Sequence, residues 1–220
     1  MNSIKQNLVQ IKSTIPEHVT LVAVSKTKPV ADLMEAYEAG QRIFGENKIQ
    51  EMTDKWEQMP KDIQWHMIGH VQTNKVKFMA PFVSLIHGVD SFKLLQEINK
   101  QALKNNRVID CLLQMHIAEE ETKFGLDEKE LASLLASEDF HNMKNIQILG
   151  LMGMATFTEN QNQIKKEFTH LKSIFDSLQA TKPVNCKLNT VSMGMSGDYQ
   201  LAIECGSTMV RIGSSIFGGR

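Results

Sequence analysis

The sequence predicts a closed (β/α)8 barrel of the TIM type with one extra helix at its N-terminus. Short runs of β-branched and apolar residues alternate eight times with helical stretches, the pattern of a parallel sheet covered by helices. The 220 residues match one such barrel, so we expect a single domain over residues 1–220. An open doubly wound sheet is the alternative. It usually has a glycine-rich turn after its first strand, whereas that turn here reads SKTKP.

Each element follows from a local pattern. The first 15 residues carry apolar side chains at helical spacing. Pro29 and Gly40 bracket the next helix, because proline suits the start of a helix and glycine its end. Ser91 is a suitable N-cap for a helix that ends near Asn105. The predicted strands are 19–25, 42–45, 63–68, 82–87, 107–117, 146–152, 187–191 and 209–212. The predicted helices between them are 30–40, 48–58, 74–79, 91–105, 128–136, 161–180 and 198–204, with a last turn at the C-terminus.

Charge and cysteine content exclude several classes of protein. With 24 basic and 25 acidic residues, the chain lacks the excess of positive charge on which binders of nucleic acid or anionic membranes depend. Its three cysteines are widely spaced, which excludes a disulfide framework and the usual zinc patterns and indicates a reducing compartment. No apolar stretch resembles a signal peptide or a membrane span. We therefore predict a cytoplasmic protein without a metal site.

Polar residues at the C-terminal ends of the strands are the candidate functional residues, because that end of a barrel holds the site. Lys26 follows the first strand, where a desolvated amine can form a Schiff base; an ordinary loop lysine is the alternative. Asn47 follows the second strand and points to the same mouth or caps the next helix. His66 and His70 follow in the third segment, but lone histidines are usually core or loop residues.

The last two strands carry a candidate phosphate site. Serines and glycines follow the seventh strand in the segment TVSMGMSGD. Gly213 and Ser214 begin the final helix after the eighth strand, where free amides and hydroxyls suit an anion. Arg211 is a cation within an apolar strand, which indicates a specific partner inside the barrel, with a core carboxylate as the alternative. A lysine opposite a phosphate site predicts a phosphate-bearing carbonyl compound bound as a Schiff base.

Five segments resemble the pyridoxal 5′-phosphate (PLP) homeostasis protein family, in the same order along the chain. They are LVAVSKTKP, FGENKIQE, WHMIGHVQTNK, GLMGMAT and VSMGMSGDYQLAIECGSTMVRIGSSIFGGR. That family is similar to the barrel half of the alanine racemases, known as fold type III of PLP proteins. The resemblance extends from about residue 20 to the C-terminus. It implies PLP as the cofactor and Lys26 as the residue that forms the internal aldimine.

The resemblance also implies roles for the other matching residues. Arg211 corresponds to the arginine that hydrogen-bonds the pyridine nitrogen. Gly213 and Ser214 correspond to backbone and hydroxyl contacts with the phosphate, and Ser192 to a further phosphate contact. Asn47 is similar to the residue near the 3′-oxygen of the cofactor.

Arg211 favours a carrier over an enzyme. A guanidinium cannot accept a proton and disfavours a cation beside it, so the pyridine ring is expected to stay neutral and to stabilise a carbanion poorly. Racemisation also needs a second acid/base group. In the racemases this is a tyrosine from a second domain of the partner subunit. Tyr37 and Tyr199 lie in predicted helices, His66 has no visible orienting partner, and the length leaves no room for a second domain.

We therefore predict a PLP-binding protein of vitamin B6 homeostasis, without catalytic residues, that holds the cofactor as a Schiff base and releases it. Apo PLP enzymes are candidate recipients, and a monomer is expected. The first alternative is a slow PLP-dependent amino-acid racemase or related enzyme. The second, outside the PLP class, is a Schiff-base aldolase acting on a phosphosugar.

Overall fold

Eight parallel strands close into a barrel in sequence order. The computed structural model describes residues 3–120, 124–181 and 183–219. The last strand pairs with the first over four residues, from Thr20 opposite Met209 to Ala23 opposite Ile212, and this pairing closes the sheet. The (β/α)8 prediction is confirmed. The strands are β1 Thr20–Val24, β2 Ile43–Glu46, β3 Gln64–Met67, β4 Leu85–Val89, β5 Ile109–Gln114, β6 Ile146–Met152, β7 Cys186–Ser192 and β8 Met209–Ile212.

Helices surround the barrel, and the additional N-terminal helix is present. Its N-cap Ser3 and Gln6 form a reciprocal capping box, and Leu8 anchors the helix in the core. The helices are α1 Ile4–Ser13, α2 Val30–Glu38, α3 Ile49–Gln58, α4 Val76–Met79, α5 Phe92–Lys104, α6 Glu128–Ala136, α7 Glu138–His141, α8 Gln161–Thr181, α9 Tyr199–Glu204 and α10 Ser214–Phe217. Within the described ranges, no helix is both long and apolar enough to span a membrane.

The apolar side chains form two layers. The larger cluster lies between the helices and the outer face of the sheet and includes Phe44, Trp65 and Phe168. The smaller one fills the inside of the barrel, so the barrel is a packed core and not a channel. Its buried members come from strands β1, β4, β5, β6 and β8: Val22, Leu85, Leu112, Met152 and Met209.

The fourth strand lies later in the chain than the predicted range 82–87, because the residues before it form the turn that follows α4. Val83 donates its N–H to the carbonyl of Met79. Phe82 stacks on Trp56 with ring centroids 4.4 Å apart. The prediction for this strand is therefore wrong by three residues at its start, where Val83 bonds back to α4, and by two residues at its end.

The fifth strand is shorter than the predicted range 107–117. The Arg107 guanidinium donates to the carbonyl of Val83 at 2.7 Å, and Arg107 lies in the loop before β5. Residues 115–117 do not continue β5, and Met115 forms an isolated bridge with Leu126. The short helix α7 was not predicted; it begins at its own N-cap, Ser137. The other strands agree with prediction to within one residue at each end.

Gly150 lies at an irregularity in the pairing of β6 with β7. Its φ of +157° lies in the region that disfavours side chains, and a Cβ there would lie 1.7 Å from the carbonyl oxygen of Thr190. Only glycine therefore allows these two strands to approach at this point.

Candidate functional site

A pocket of about 400 Å³ opens at the C-terminal end of the barrel. Its lining residues are Val24, Lys26, Thr27, Lys28, Asn47, Ile68, Met154, Phe157, Met195, Ser196, Gly197, Arg211, Gly213, Ser214, Gly218 and Gly219. Three of these residues are basic, and none of the lining residues that the structure describes is Asp or Glu. The pocket therefore has a positive potential that favours an anionic ligand.

Lys26 lies on a tight turn that directly follows β1. The turn is closed by a hydrogen bond of 3.1 Å from the N–H of Lys28 to the carbonyl of Ser25. Thr27 has a φ of +64°, a left-handed conformation that is unfavourable for a β-branched residue. Its N–H donates to the Glu51 carboxylate at 2.6 Å. Tertiary contacts therefore hold the strained turn that presents Lys26 to the pocket.

A buried ion-pair cluster supports this turn from below. The Lys55 ammonium donates to the Ser25 carbonyl at 2.8 Å and to the carboxylates of Glu46 and Glu51, each at 2.7 Å. The Ser25 hydroxyl donates to Glu46 at 2.6 Å. Burial raises the pKa of the Glu46 carboxyl, and the bonds from Lys55 oppose that effect. The cluster joins β1, β2 and α3 under the candidate nucleophile.

Arg211 is only 3% exposed, and part of it lines the pocket. Its Nη1 donates to the Ser192 hydroxyl at 2.6 Å, and its Nη2 donates to the Gly153 carbonyl at 3.1 Å. Burial lowers the pKa of the Arg211 guanidinium to about 10, and the Asp198 carboxylate opposes this effect, so the group stays charged at neutral pH. The partners of Arg211 inside the barrel are thus a hydroxyl and a carbonyl, not the core carboxylate weighed as an alternative.

Ser192 lies beneath the pocket and does not line it. Its side chain is fully buried, and its hydroxyl contacts His87 Nδ1 at 3.0 Å as well as Arg211. His87 Nε2 in turn contacts His66 Nδ1 at 3.0 Å. The expectation that His66 lacks an orienting partner is therefore wrong. His70 lies outside this chain of contacts and pairs with Asp90 at 3.0 Å.

The phosphate side of the pocket is formed by the loops after β7 and β8. Gly213 and Ser214 both line it, and Ser214 begins α10. Ser196 adds a hydroxyl, which accepts the Gly213 N–H at 3.2 Å. Asn47 also lines the pocket, after β2, and Lys48, not Asn47, occupies the N-cap position of α3.

Five of the six predicted site residues thus line one pocket, and Ser192 supports it from inside the barrel. The sequence analysis did not identify Lys55 or His87, and it did not single out Ser196 as a residue that lines the pocket. For His87 a signal existed. It lies two residues after Leu85 in the same strand, so the two side chains are on the same face, and Leu85 is in the cluster inside the barrel. For Lys55 the sequence showed only its i−4 neighbour Glu51, and its burial depends on Ser25 and Glu46 from other segments.

Comparison with known sequences assigns the chain to a family. The family model of the alanine racemase N-terminal domain matches residues 1–220. A pyridoxal phosphate homeostasis protein of Aquifex aeolicus (strain VF5) is 41% identical over 201 residues, covering 91% of this chain and 86% of that protein. The protein of the same name from Escherichia coli (strain K12) is 34% identical over 234 residues, covering 100% of this chain and 98% of that protein.

Solved structures support the same family assignment. PipY of Synechococcus elongatus PCC7942 without PLP superimposes with a TM-score of 0.92 at 33% identity, over 98% of this chain and 100% of that one. The PLP-bound form of PipY gives a TM-score of 0.89 at the same identity and coverage. The alanine racemase of Clostridium difficile 630 with cycloserine shares the fold, with a TM-score of 0.79 at 13% identity over 99% of this chain and 60% of that one. The chain belongs to the alanine racemase N-terminal domain family and, within it, to the pyridoxal phosphate homeostasis proteins.

Proposed function

We propose that this chain binds pyridoxal phosphate in the pocket at the open end of the barrel, holds it on Lys26 and releases it to other proteins. The observation that carries the proposal is the lining of the pocket, which includes Lys26, Lys28 and Arg211 and, among its described residues, no Asp or Glu. We also propose that residues 1–220 act as one barrel domain.

The groups in the pocket suit the chemistry of this cofactor. When bound, pyridoxal phosphate supplies an aldehyde that condenses with a primary amine, a phosphate dianion and a heteroaromatic ring. The Lys26 amine suits the aldehyde. The Ser196 and Ser214 hydroxyls suit a phosphate, and the Gly213 N–H, which donates to the Ser196 hydroxyl at 3.2 Å, lies beside them. Arg211 retains N–H groups beyond those bonded to Ser192 and Gly153, and these can donate to a ring nitrogen or other acceptor.

Relatives with similar sequences support the same cofactor. PipY, at 33% identity, has a structure with PLP bound. Relatives at 34–41% identity are named as homeostasis proteins and not as enzymes. For the phosphate, the geometry favours Ser196 over the predicted Ser192, because the Ser192 hydroxyl is buried and already bonded on two sides. A direct contact between Ser192 and phosphate stays an untested prediction.

A carrier role is supported by which groups surround Lys26. Among the described lining residues there is no His, Tyr, Cys, Asp or Glu that could exchange a proton on the face opposite Lys26. Lys28 also lines the pocket, but its Nζ donates to the Gly219 carbonyl at 2.9 Å. The hydroxyl of Tyr37 bonds Asp62 at 2.9 Å, and that of Tyr199 contacts Thr14 at 2.9 Å. Both tyrosines are therefore engaged outside the pocket. Arg211 offers only donors and cannot hand a proton back and forth at neutral pH.

The first experiment is a titration of the purified chain with pyridoxal phosphate, followed by absorbance. We expect a visible band for the unaltered chain and its loss in Lys26→Ala. The matched control is Lys48→Ala, because Lys48 is exposed and lies outside the pocket lining. Borohydride reduction and peptide mass mapping should place the label on Lys26. An equal band in Lys26→Ala would refute the assignment, and absence of any band would refute pyridoxal phosphate as the ligand.

The second experiment separates a carrier from an enzyme. The loaded chain is mixed with amino acids in deuterated water, and exchange of their α-protons is followed by NMR. We expect exchange no faster than with free pyridoxal phosphate, together with transfer of the cofactor to an added apo enzyme. Exchange that is faster than with free pyridoxal phosphate and that depends on Lys26 would refute the carrier role and favour the alternative, a PLP-dependent racemase or related enzyme.

A further inference from the structure

We propose that His87 and His66 are positioning residues that fix Arg211 through Ser192, in a buried hydrogen-bond chain with a single proton order. The proton order is a property of the protein itself and does not depend on a bound ligand. The consequence for ligand retention rests on the proposed function.

This chain of side-chain hydrogen bonds crosses the inside of the barrel directly beneath the pocket. Arg211 on β8 contacts Ser192 on β7 at 2.6 Å, Ser192 contacts His87 on β4 at 3.0 Å, and His87 contacts His66 on β3 at 3.0 Å. All four residues are at most 4% exposed. Because only Arg211 lines the pocket, the other three can act on a ligand only through it.

Chemistry fixes the direction of the first bond. A guanidinium only donates, so the Ser192 oxygen must accept from Arg211. The serine proton then needs an acceptor, and within the described contacts of this hydroxyl the remaining partner is His87 Nδ1. His87 therefore carries its proton on Nε2 and donates it to His66 Nδ1. His66 in turn carries its proton on Nε2.

The reverse order is less favourable. If His87 Nδ1 donated to Ser192, the serine oxygen would accept twice and its own proton would have no acceptor in a fully buried position. A charged imidazolium at His87 would add a cation near the buried Arg211 guanidinium, and one at His66 would place a charge in a buried position without a described carboxylate in hydrogen-bond contact. The favoured state is therefore two neutral rings, each protonated on Nε2.

This order makes Arg211 rigid. Ser192 can accept from Nη1 only while its own proton is held away from the guanidinium, and His87 holds it there. A second bond, to the Gly153 carbonyl at 3.1 Å, fixes the other terminal nitrogen. With both ends anchored, the remaining N–H groups keep one direction relative to the pocket.

The first test measures the histidine rings by 15N NMR in the unaltered chain without ligand. His66→Asn and His87→Asn assign the two signals. We expect both rings to be neutral at pH 7 and protonated only on Nε2. A proton on His87 Nδ1, or a charged ring at pH 7, would overturn the proposal. If either variant fails to fold, through-bond assignment of the unaltered chain identifies the same two rings, so the test does not depend on the variants.

The second test compares two substitutions of His87. Asparagine places an oxygen acceptor near the position of Nδ1, whereas leucine leaves the Ser192 proton without one. We expect the Arg211 guanidinium protons to exchange with water at about the unaltered rate in His87→Asn and at least about tenfold faster in His87→Leu. His70→Asn is the matched control, because that ring is 45% exposed and lies outside the chain of contacts. Equal exchange in both His87 variants would overturn the positioning role.

The rate at which bound pyridoxal phosphate is lost is an independent measurement on the same variants. We expect about tenfold faster loss of the cofactor from His87→Leu, with His87→Asn close to the unaltered chain. Retention unchanged in His87→Leu would overturn the link to the ligand. If the unaltered chain binds no pyridoxal phosphate, the proposed function fails, while guanidinium exchange and ring tautomers still decide this proposal.

Discussion

The buried His66 ring should make the protein less stable as the solution becomes acidic. Burial lowers the pKa of this ring to about 3, whereas an unfolded histidine titrates near 6.5. Between these two values the unfolded chain binds the proton and the folded chain does not. The stability associated with His66 is therefore fully present above about pH 6.5 and is lost progressively as the pH falls toward 3.

The size of the effect follows from this difference in pKa. Each pH unit within the window is worth about 1.4 kcal/mol, so at pH 5 the free energy of unfolding should be about 2 kcal/mol lower on account of His66 alone. Little screening by solvent is expected, because the ring is only 4% exposed. Burial also lowers the pKa of His87 well below its usual value, which acts in the same direction. Glu46 and Asp198 act in the opposite direction, because burial raises the pKa of each carboxyl.

Since several groups contribute, the decisive measurement is a difference between variants. Urea unfolding is measured at pH 7 and pH 5 for the unaltered chain, His66→Asn and His70→Asn. His66→Asn removes the titrating ring but keeps an acceptor for His87, so it should lose stability at both pH values from poorer packing. Its loss between pH 7 and pH 5 should be about 2 kcal/mol smaller than in the unaltered chain. His70→Asn should follow the unaltered chain to within about 0.5 kcal/mol. Parallel pH profiles for His66→Asn and the unaltered chain would refute the reasoning.

Two further predictions concern stability around the pocket. Lys55→Met leaves the Glu46 carboxylate buried without its cation and should cost about 3–5 kcal/mol in urea unfolding, whereas Lys172→Met, which breaks a solvent-accessible pair, should cost less than about 1 kcal/mol. Similar costs for the two lysines would show that the cluster under the turn is not energetically special. Gly150→Ala places its methyl 1.7 Å from a carbonyl oxygen of β7 and should lower the yield of folded protein sharply, whereas Gly40→Ala meets nothing within 4 Å and should cost only about 1 kcal/mol. A thermal melt of Gly150→Ala close to that of Gly40→Ala would contradict this account of the β6–β7 contact.

The barrel and most of its site were predictable because both depend on local patterns. Parallel strands bring their carboxyl ends to one edge, so Lys26, Asn47 and Gly213 could be placed at the same mouth from their positions after strands. Strand ends were less predictable where a side chain serves a neighbouring element. Phe82 looks like a strand residue but stacks on Trp56 of α3 instead.

The supporting layer was largely invisible in the sequence. Lys55 lies on a helix where a lysine is usually a solvated residue, and its burial depends on acceptors from β1, β2 and its own helix. His87 shares the inward face of β4 with Leu85, so its orientation was foreseeable. Its partners were not, because Ser192 and His66 lie on other strands at long separations in the chain.

The two supporting clusters differ in charge, and this difference explains the character of the pocket. Under Lys26, carboxylates neutralise the buried Lys55, so the turn is held by a compensated ion pair. Under Arg211, the described hydrogen-bond partners are neutral: a hydroxyl and a carbonyl, with two histidines behind them. A carboxylate in place of Ser192 would satisfy the guanidinium from below and weaken the field that it directs into the pocket. Neutral dipoles make the described hydrogen bonds to the cation, and the Asp198 carboxylate acts on it through space without a described hydrogen bond. The N–H groups of Arg211 that these bonds leave free therefore stay available to an anionic ligand.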